Sequence, residues 1–322
     1  MIKAAIIAAD SYRAGELIRL LVNHPDVEIV WIQSDIHAGR PVSEVHNGLI
    51  GDTDLCFVPD IDYSCADIVF SCLPHGSSAP FFARNPIPDR IRVVDLSADF
   101  RFDDSGEWVY GLPELNRKAM VRGARLVANP GCFASVIELA LLPLARNLLL
   151  NSTINITAIT GATAEGHTPS STYHYPRLND NIEVYEPLTH RHVPEIARTL
   201  SSMQKSFDST VNFIPVRGAF SRGILAAIYL DCNVDIQTLQ KLYHQSYDDH
   251  NFTFLVDRRP DLKDVAGTNK CLIHLERIGD KLFITAAIDN LLKGSAGTAV
   301  HNMNLLFGLH ERTGLQLKPT AY

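Results

Sequence analysis

Cys132 directly follows Pro130-Gly131 and directly precedes FASVIELALLPLAR, an apolar run with a helical pattern. The Pro-Gly pair breaks the preceding segment, so the sulfur is expected at or near a helix N-terminus. The positive end of the helix dipole and the first backbone N–H groups favour a thiolate there. The same N–H groups can hold an oxyanion. A thiolate so placed is a nucleophile for acyl transfer. A cysteine is otherwise read as a small buried hydrophobe, and that reading is given to Cys56, Cys65, Cys72, Cys232 and Cys271. No two of the six are spaced as CxxC, so no zinc ribbon or finger is indicated.

His190, His192 and Glu195 form an HxHxxE cluster. Imidazole suits acid–base work near neutral pH, and a carboxylate can orient it. A metal reading competes, because these are ligand types, but the spacing is not the helical HExxH pattern. Arg101 closes the segment Asp95–Arg101, and Arg222 sits in Ser221-Arg222-Gly223. A guanidinium fork at either place can bind a carboxylate or phosphate through two parallel hydrogen bonds.

These residues must be positioned by a scaffold. Residues 2–9 read as a buried strand, 13–22 as a helix and 27–33 as a second strand, with further strands at 67–72 and 92–95. That alternation predicts a doubly wound parallel sheet of α/β type. From about residue 155 the pattern changes to strands at 155–160, 211–214, 224–230, 252–256, 271–275 and 282–288, with helices near 193–204 and 235–247. This is an α+β domain built on a sheet. A last helix over about 294–309 is expected to pack back on the first domain. Residues 162–192, rich in Thr, Ser, Pro and His, read as a long functional loop. At 322 residues, 46% hydrophobic and 20% charged, the chain suits two domains. A net charge of −7 does not favour nucleic acid or an anionic membrane surface. No apolar stretch has the length of a membrane span. The opening MIKAAIIAAD reads as a strand and not a signal peptide, so a cytoplasmic protein is expected, with reduced thiols.

Seven segments, in order, resemble the N-acetyl-γ-glutamyl-phosphate reductases, relatives of the aspartate-semialdehyde dehydrogenases. They are Leu73-Pro74-His75-Gly76, Asp95–Arg101 (DLSADFR), Tyr110–Glu114 (YGLPE), Asn129–Ala134 (NPGCFA), His190–Ile196 (HRHVPEI), Arg222-Gly223-Ile224 and Asp289–Gly294 (DNLLKG). The resemblance implies a Rossmann-like NADP-binding domain over 1–131 and 292–322. Between them it implies an inserted catalytic and dimerisation domain over 132–291, in a homodimer or homotetramer. It implies an acyl-phosphate substrate, a Cys132 thioester, and one of His190 and His192 as the base, with His190 favoured. Arg101, Asn129, Glu195 and Arg222 are implied near the substrate, and no metal is implied. For the coenzyme it implies Asn290 at the nicotinamide amide and Pro74 in the lining. Ser11, Tyr12 and Arg13 follow in the phosphate loop, and Ser34 and Arg40 lie where an adenosine phosphate is held. Asp35, beside Ser34, is an acceptor suited to a ribose hydroxyl, as NAD enzymes prefer.

The phosphate loop departs from the family pattern. Ala8, Ser11 and Ala14 stand at its three glycine positions, and Asp10 stands at a serine position. A Cβ at each glycine position crowds the approach to a pyrophosphate, and Asp10 is harmless only as an outward-pointing helix N-cap. Weak dinucleotide binding or a shifted loop is therefore expected, with Arg13 as a compensating cation. Thr163–His167, Val216, Thr298 and His301 also differ from the pattern. The rival reading is a non-catalytic or substrate-shifted relative.

Overall fold

The computed structural model describes residues 1–167 and 174–320. Two compact units emerge: Met1–Pro130 with Ser295–Gln316, and Gly131–Gly294 with the residues from Leu317 onward.

The strands of the first unit are β1 (Ile2–Ile7), β2 (Val27–Gln33), β3 (Phe57–Val58), β4 (Ile68–Ser71), β5 (Arg92–Asp95), β6 (Trp108–Tyr110) and β7 (Leu126–Ala128). They form one sheet in the order β3-β2-β1-β4-β5-β7-β6. Every pairing is parallel. The order reverses between β1 and β4, the switch point where open α/β sheets bind ligands. All four residues of β4 are buried, as expected of a central parallel strand covered on both faces. The helices of this part are α1 (Tyr12–Leu21), α2 (Val42–Val45), α3 (Ser78–Arg84) and α4 (Pro113–Val121). Ser11 caps α1 by accepting from the Ala14 N–H at 3.4 Å, and Leu17, Ile18, Leu20 and Leu21 form its buried side.

The second unit holds β8 (Ile154–Thr160), β9 (Ile182–Val184), β10 (Val211–Gly218), β11 (Ile224–Asp231), β12 (Thr253–Leu255), β13 (Cys271–Ile278) and β14 (Lys281–Ile288). Their order is β12-β13-β14-β11-β8-β10-β9, a mixed sheet. The helices are α5 (Cys132–Arg146), α6 (Tyr175–Leu178), α7 (His192–Met203) and α8 (Ile236–Tyr247). The central helix α5 packs against β11, β13, β14, α7 and α8. Thirteen consecutive residues, Phe133 to Ala145, are buried along it. Pro143 lies inside this helix and has no N–H to give the Leu139 carbonyl. The Tyr247 hydroxyl, from α8, donates to that carbonyl instead. Residues of alternate register on the sheet, Thr157, Ile214 and Tyr229, are exposed.

The chain returns to the first unit as α9 (Gly297–Leu306), packed against α1 and α4. The helix begins later than the sequence pattern suggests, because a π turn over Leu292–Ala296 precedes it. Gly111 is required beside it: a Cβ there would sit 2.6 Å from Val127 Cγ1 and 2.7 Å from Asn302 Nδ2. Of the loop expected over 162–192, residues 168–173 lie outside the described residues. The remainder includes α6 and the short edge strand β9, which sequence patterning did not reveal.

Candidate active site

In the second unit, Gly131 is the N-cap of α5 and Cys132 its first helical residue. Cys132 is partly exposed, whereas the residues after it are buried. The Gly131 N–H donates to Glu195 Oε1 at 2.8 Å. Its carbonyl accepts from the Ser135 N–H at 2.8 Å and the Ser135 hydroxyl at 3.0 Å. The backbone carrying the nucleophile is therefore held on both sides. Glu195 lies in the first turn of α7, and His192 is the first residue of that helix. Three residues apart on a helix, they share a face.

His190, His192 and Glu195 are all buried. The Phe133 ring, next to the nucleophile, meets the His190 ring edge-on at 5.4 Å and the His192 ring at 6.1 Å. The two imidazole centroids are 4.7 Å apart. His190 Nδ1 accepts from the His192 N–H at 3.1 Å. With Nδ1 accepting, the proton of the neutral ring sits on Nε2, so His190 presents a donor first. Gly294 closes in from the far end of the chain segment. A Cβ added there would lie 2.8 Å from Cys132 Cβ and 3.2 Å from its Cα.

Arg222 forms an ion pair with Asp289, Nε to Oδ2 at 3.0 Å. Asp289 is fully buried. It also accepts from the N–H groups of Gly267 at 2.7 Å, Leu291 at 2.8 Å and Leu292 at 3.1 Å. Burial pushes its carboxyl up, against the opposing pull of Arg222 and these N–H groups. Asn290 is buried, and its amide is engaged at both ends. Oδ1 accepts from the Gly223 N–H at 2.7 Å, and Nδ2 donates to Thr163 Oγ1 at 3.0 Å.

The first unit holds the other expected residues. Arg101 is buried and donates from Nε to the Asn129 carbonyl at 2.9 Å. The Asn129 side chain donates to the Ser295 carbonyl at 3.1 Å and accepts from Asn302 at 3.2 Å. The segment preceding Arg101 shapes the Pro74 loop. Asp99 accepts from the N–H groups of Gly76 at 2.6 Å and Ala79 at 3.0 Å, while the buried Asp95 accepts from the Ser78 hydroxyl at 2.6 Å. Pro74 is exposed on this loop.

The phosphate loop keeps its turn without the glycine. Ala8 occupies the left-handed region at φ 54°, held by its N–H to Gln33 Oε1 at 3.0 Å and by the Ala9 N–H to the Gln33 carbonyl at 3.0 Å. Ser11, not Asp10, is the N-cap of α1. Asp10 instead turns toward the end of β2, where it accepts from the Ser34 hydroxyl. Tyr12 is exposed at the start of the helix. The Arg13 guanidinium donates to the carbonyls of Leu96 at 3.1 Å, Cys72 at 3.0 Å and Leu73 at 2.8 Å. In this arrangement it ties together the ends of β4 and β5. Arg40, an exposed residue, pairs with Glu44 at 3.1 Å.

Of the remaining cysteines, Cys72, Cys232 and Cys271 are buried, whereas Cys56 is exposed and Cys65 half-buried. The reading as a buried small hydrophobe thus holds for three of the five; Cys65 packs partly buried against the core of the first unit, and Cys56 is exposed. Burial pushes the Cys72 thiol up to about 12. Among the described residues, no group of three or more His, Cys, Asp or Glu side chains is placed to hold a metal ion, and no helix is long and apolar enough to cross a membrane.

Comparison with known proteins gives this arrangement its class. Residues 3–122 match the model of the semialdehyde dehydrogenase NAD binding domain, and residues 132–290 match that of the semialdehyde dehydrogenase dimerisation domain. Solved aspartate-semialdehyde dehydrogenases share the fold. The Vibrio cholerae enzyme II superposes with a TM-score of 0.74 at 17% identity, over 96% of this chain and 98% of that one. The Candida albicans enzyme, solved with NADP, also gives 0.74, at 14% identity over 95% and 99%. The N-acetyl-gamma-glutamyl-phosphate reductase of Parabacteroides distasonis is 53% identical over the full length of both chains, and that of Phocaeicola vulgatus 49%. Within the semialdehyde dehydrogenases, this chain therefore belongs to the N-acetyl-gamma-glutamyl-phosphate reductase family.

Sequence reasoning missed three residues that shape the site. Phe133 and Asp289 stood inside quoted motifs, but their packing and ion-pair roles arise from contacts distant in sequence. Gly294 had one signal, its place at the end of the Asp289–Gly294 segment.

Proposed function

We propose that the protein reduces N-acetyl-γ-glutamyl phosphate to N-acetylglutamate semialdehyde and phosphate, a step of arginine biosynthesis, through a thioester on Cys132. The observation that carries this reading is the first turn of α5. Cys132 stands there on a backbone fastened to Glu195, beside a ring that packs on both imidazoles.

The helix N-terminus stabilises negative charge on the sulfur. The thiolate attacks the acyl carbon, and the oxyanion formed is held by N–H groups of the first turn. Its collapse expels phosphate and leaves the thioester. A nicotinamide dinucleotide, when bound, supplies the hydride that reduces the thioester carbonyl. The Nε2–H of His190 is assigned to donate a hydrogen bond to the resulting alkoxide; that alkoxide then collapses to the aldehyde as the C–S bond breaks and the thiolate of Cys132 is restored. His192 and Glu195 hold that ring and the Cys132 backbone in register. Arg101, Asn129 and Arg222 are assigned to the anionic groups of the substrate.

The residues of the first unit fit a dinucleotide. Strand β1 leads through the left-handed Ala8 into the N-terminus of α1 at the switch point of the sheet, an arrangement that receives a pyrophosphate. Ser11, Tyr12, Arg13 and Pro74 surround that end, with Asn290 assigned to the nicotinamide. The family resemblance and the NADP of the Candida neighbour support NADP, whereas the carboxylates of Asp10 and Asp35 at the adenosine end favour NAD. Ser34 and Arg40 lie at the adenosine end. The exposed face of the second sheet, with Ile214 and Tyr229, and the dimerisation-domain match support a homodimer or a tetramer built from it, and we assign the protein to the cytoplasm as a biosynthetic enzyme like its relatives. A non-catalytic relative is the poorer reading. A relative at 53% identity and another at 49% bear the reductase name, and the nucleophile, both histidines and both arginines are present.

The test is the reverse reaction. Purified protein given the semialdehyde, phosphate and NADP or NAD should form reduced coenzyme only when phosphate is present. Failure with both coenzymes would overturn the proposal.

A further inference from the structure

The adenosine end of the first unit carries more acid than a phosphorylated coenzyme favours. Asp10 extends from the end of β1 to the end of β2, where its Oδ1 accepts from Ser34 Oγ and lies 3.8 Å from His37 Nε2. Ser34 is fully buried, and its one hydroxyl proton goes to Asp10; its oxygen accepts from the His37 N–H at 3.1 Å. The hydroxyl expected to donate to a 2′-phosphate therefore donates to a carboxylate. Asp35, next in the chain, is exposed and accepts from Gln33 Nε2 at 2.7 Å. The basic groups here already face carboxylates or each other. His37 faces Asp10, while Arg40 pairs with Glu44 and lies 3.4 Å from His37 Nδ1. The Arg40 pair is half exposed and can open toward an incoming phosphate. Asp10 is fastened to Ser34 and cannot turn away without losing that bond.

We propose that Asp10 is a specificity-determining residue of the dinucleotide site, disfavouring the 2′-phosphate so that the protein binds NADH at least as well as NADPH. The proposal rests on reading the first unit as a dinucleotide site. It goes beyond that reading by assigning the choice of coenzyme to a residue where this chain departs from its family. The physical reason is direct. A ribose 2′-hydroxyl can donate to a carboxylate at the end of β2, whereas a 2′-phosphate brings negative charge to the same place.

The experiment titrates NADPH and NADH separately into the full-length protein, followed by coenzyme fluorescence, with Asp10→Ser and the near-isosteric Asp10→Asn alongside. Thermal melts of each variant show that it is folded. The wild type should bind NADH as tightly as NADPH, or more tightly. Both variants should shift the affinity ratio toward NADPH by about tenfold or more, equivalent to about 1.4 kcal/mol. The kcat/KM ratio for the two coenzymes should move the same way. A wild type that prefers NADPH by tenfold or more, or a folded pair of variants whose ratio does not move, would overturn the role of Asp10 and leave the proposed reductase standing. A wild type that binds neither nucleotide would overturn both.

Discussion

Substituting Gly294 by alanine probes the nucleophile without touching its chemistry. The backbone there lies outside the left-handed region, so alanine can adopt it, and the effect is steric. The added Cβ would stand 2.8 Å from Cys132 Cβ, 3.2 Å from its Cα and 3.3 Å from Ile288 Cδ1. Restoring even the near edge of ordinary contact, 3.4 Å, moves the Cys132 side chain or residue 294 by about 0.6 Å. Neither gives way easily. The turn carrying Cys132 is fastened by the Gly131 bond to Glu195 and by Ser135, and the Gly294 N–H donates to the Asp289 carbonyl at 2.9 Å. Overpacking of this kind costs about 1–3 kcal/mol. A misplacement of about 1 Å at a reacting centre costs about 10²-fold in rate, so Gly294→Ala should lose about tenfold or more in kcat/KM. The assay is phosphate-dependent coenzyme reduction with the semialdehyde, paired with the alkylation rate of Cys132 and a thermal melt. A variant with wild-type kcat/KM, alkylation rate and Tm would refute the packing argument.

Other perturbations test separate parts of the account. Ala8→Gly should relieve the left-handed strain, raise stability by about 1 kcal/mol and tighten dinucleotide binding; a lower Tm would show that the alanine is not strained. Glu195→Ala leaves the buried Gly131 N–H without its acceptor, a loss of about 1–3 kcal/mol with a fall in kcat. Glu195→Gln keeps an acceptor and should hold most of the Tm, and equal loss in both variants would remove the hydrogen bond as the cause. Burial holds His24 below the ordinary histidine value, against the raising effect of its bond to Asn304. The folded state therefore keeps this ring neutral while the unfolded chain takes up a proton near pH 6.5. Its contribution is fully present above that pH and is lost as pH falls through the lower folded value. The Tm should drop from pH 7.5 to 5.5, and less steeply in His24→Gln; identical slopes would contradict this.

The sequence was most legible where packing is local. The readings of strands 27–33 and 92–95 match their observed ends; the first is a β-rich run bounded by Pro25-Asp26 and Ser34-Asp35. Strand β1 stops at Ile7 and not at residue 9, because Ala8 turns left-handed and alanine gives no sign of it. The strands β3, β6, β7 and β9 hold only two or three residues each, too few for any periodicity to register. In the site, Cys132 was legible because Pro-Gly followed by an apolar run fixes a helix start. The partners of Asp10, Arg13 and Asn290 were not. Each bonds to a group at least 24 residues away in the chain, which spacing cannot reveal. Arg13 shows the cost: it was expected as a cation for phosphate, yet its guanidinium spans three carbonyls at the strand ends.

The central claim is a covalent acyl group on Cys132. The most direct measurement is the intact mass of the protein after brief exposure to N-acetyl-γ-glutamyl phosphate without coenzyme, followed by peptide mapping. A single acyl adduct on the peptide bearing Cys132, discharged on addition of reduced coenzyme and absent in Cys132→Ser, is the predicted result. An adduct elsewhere, or undiminished turnover in Cys132→Ser, would contradict the account.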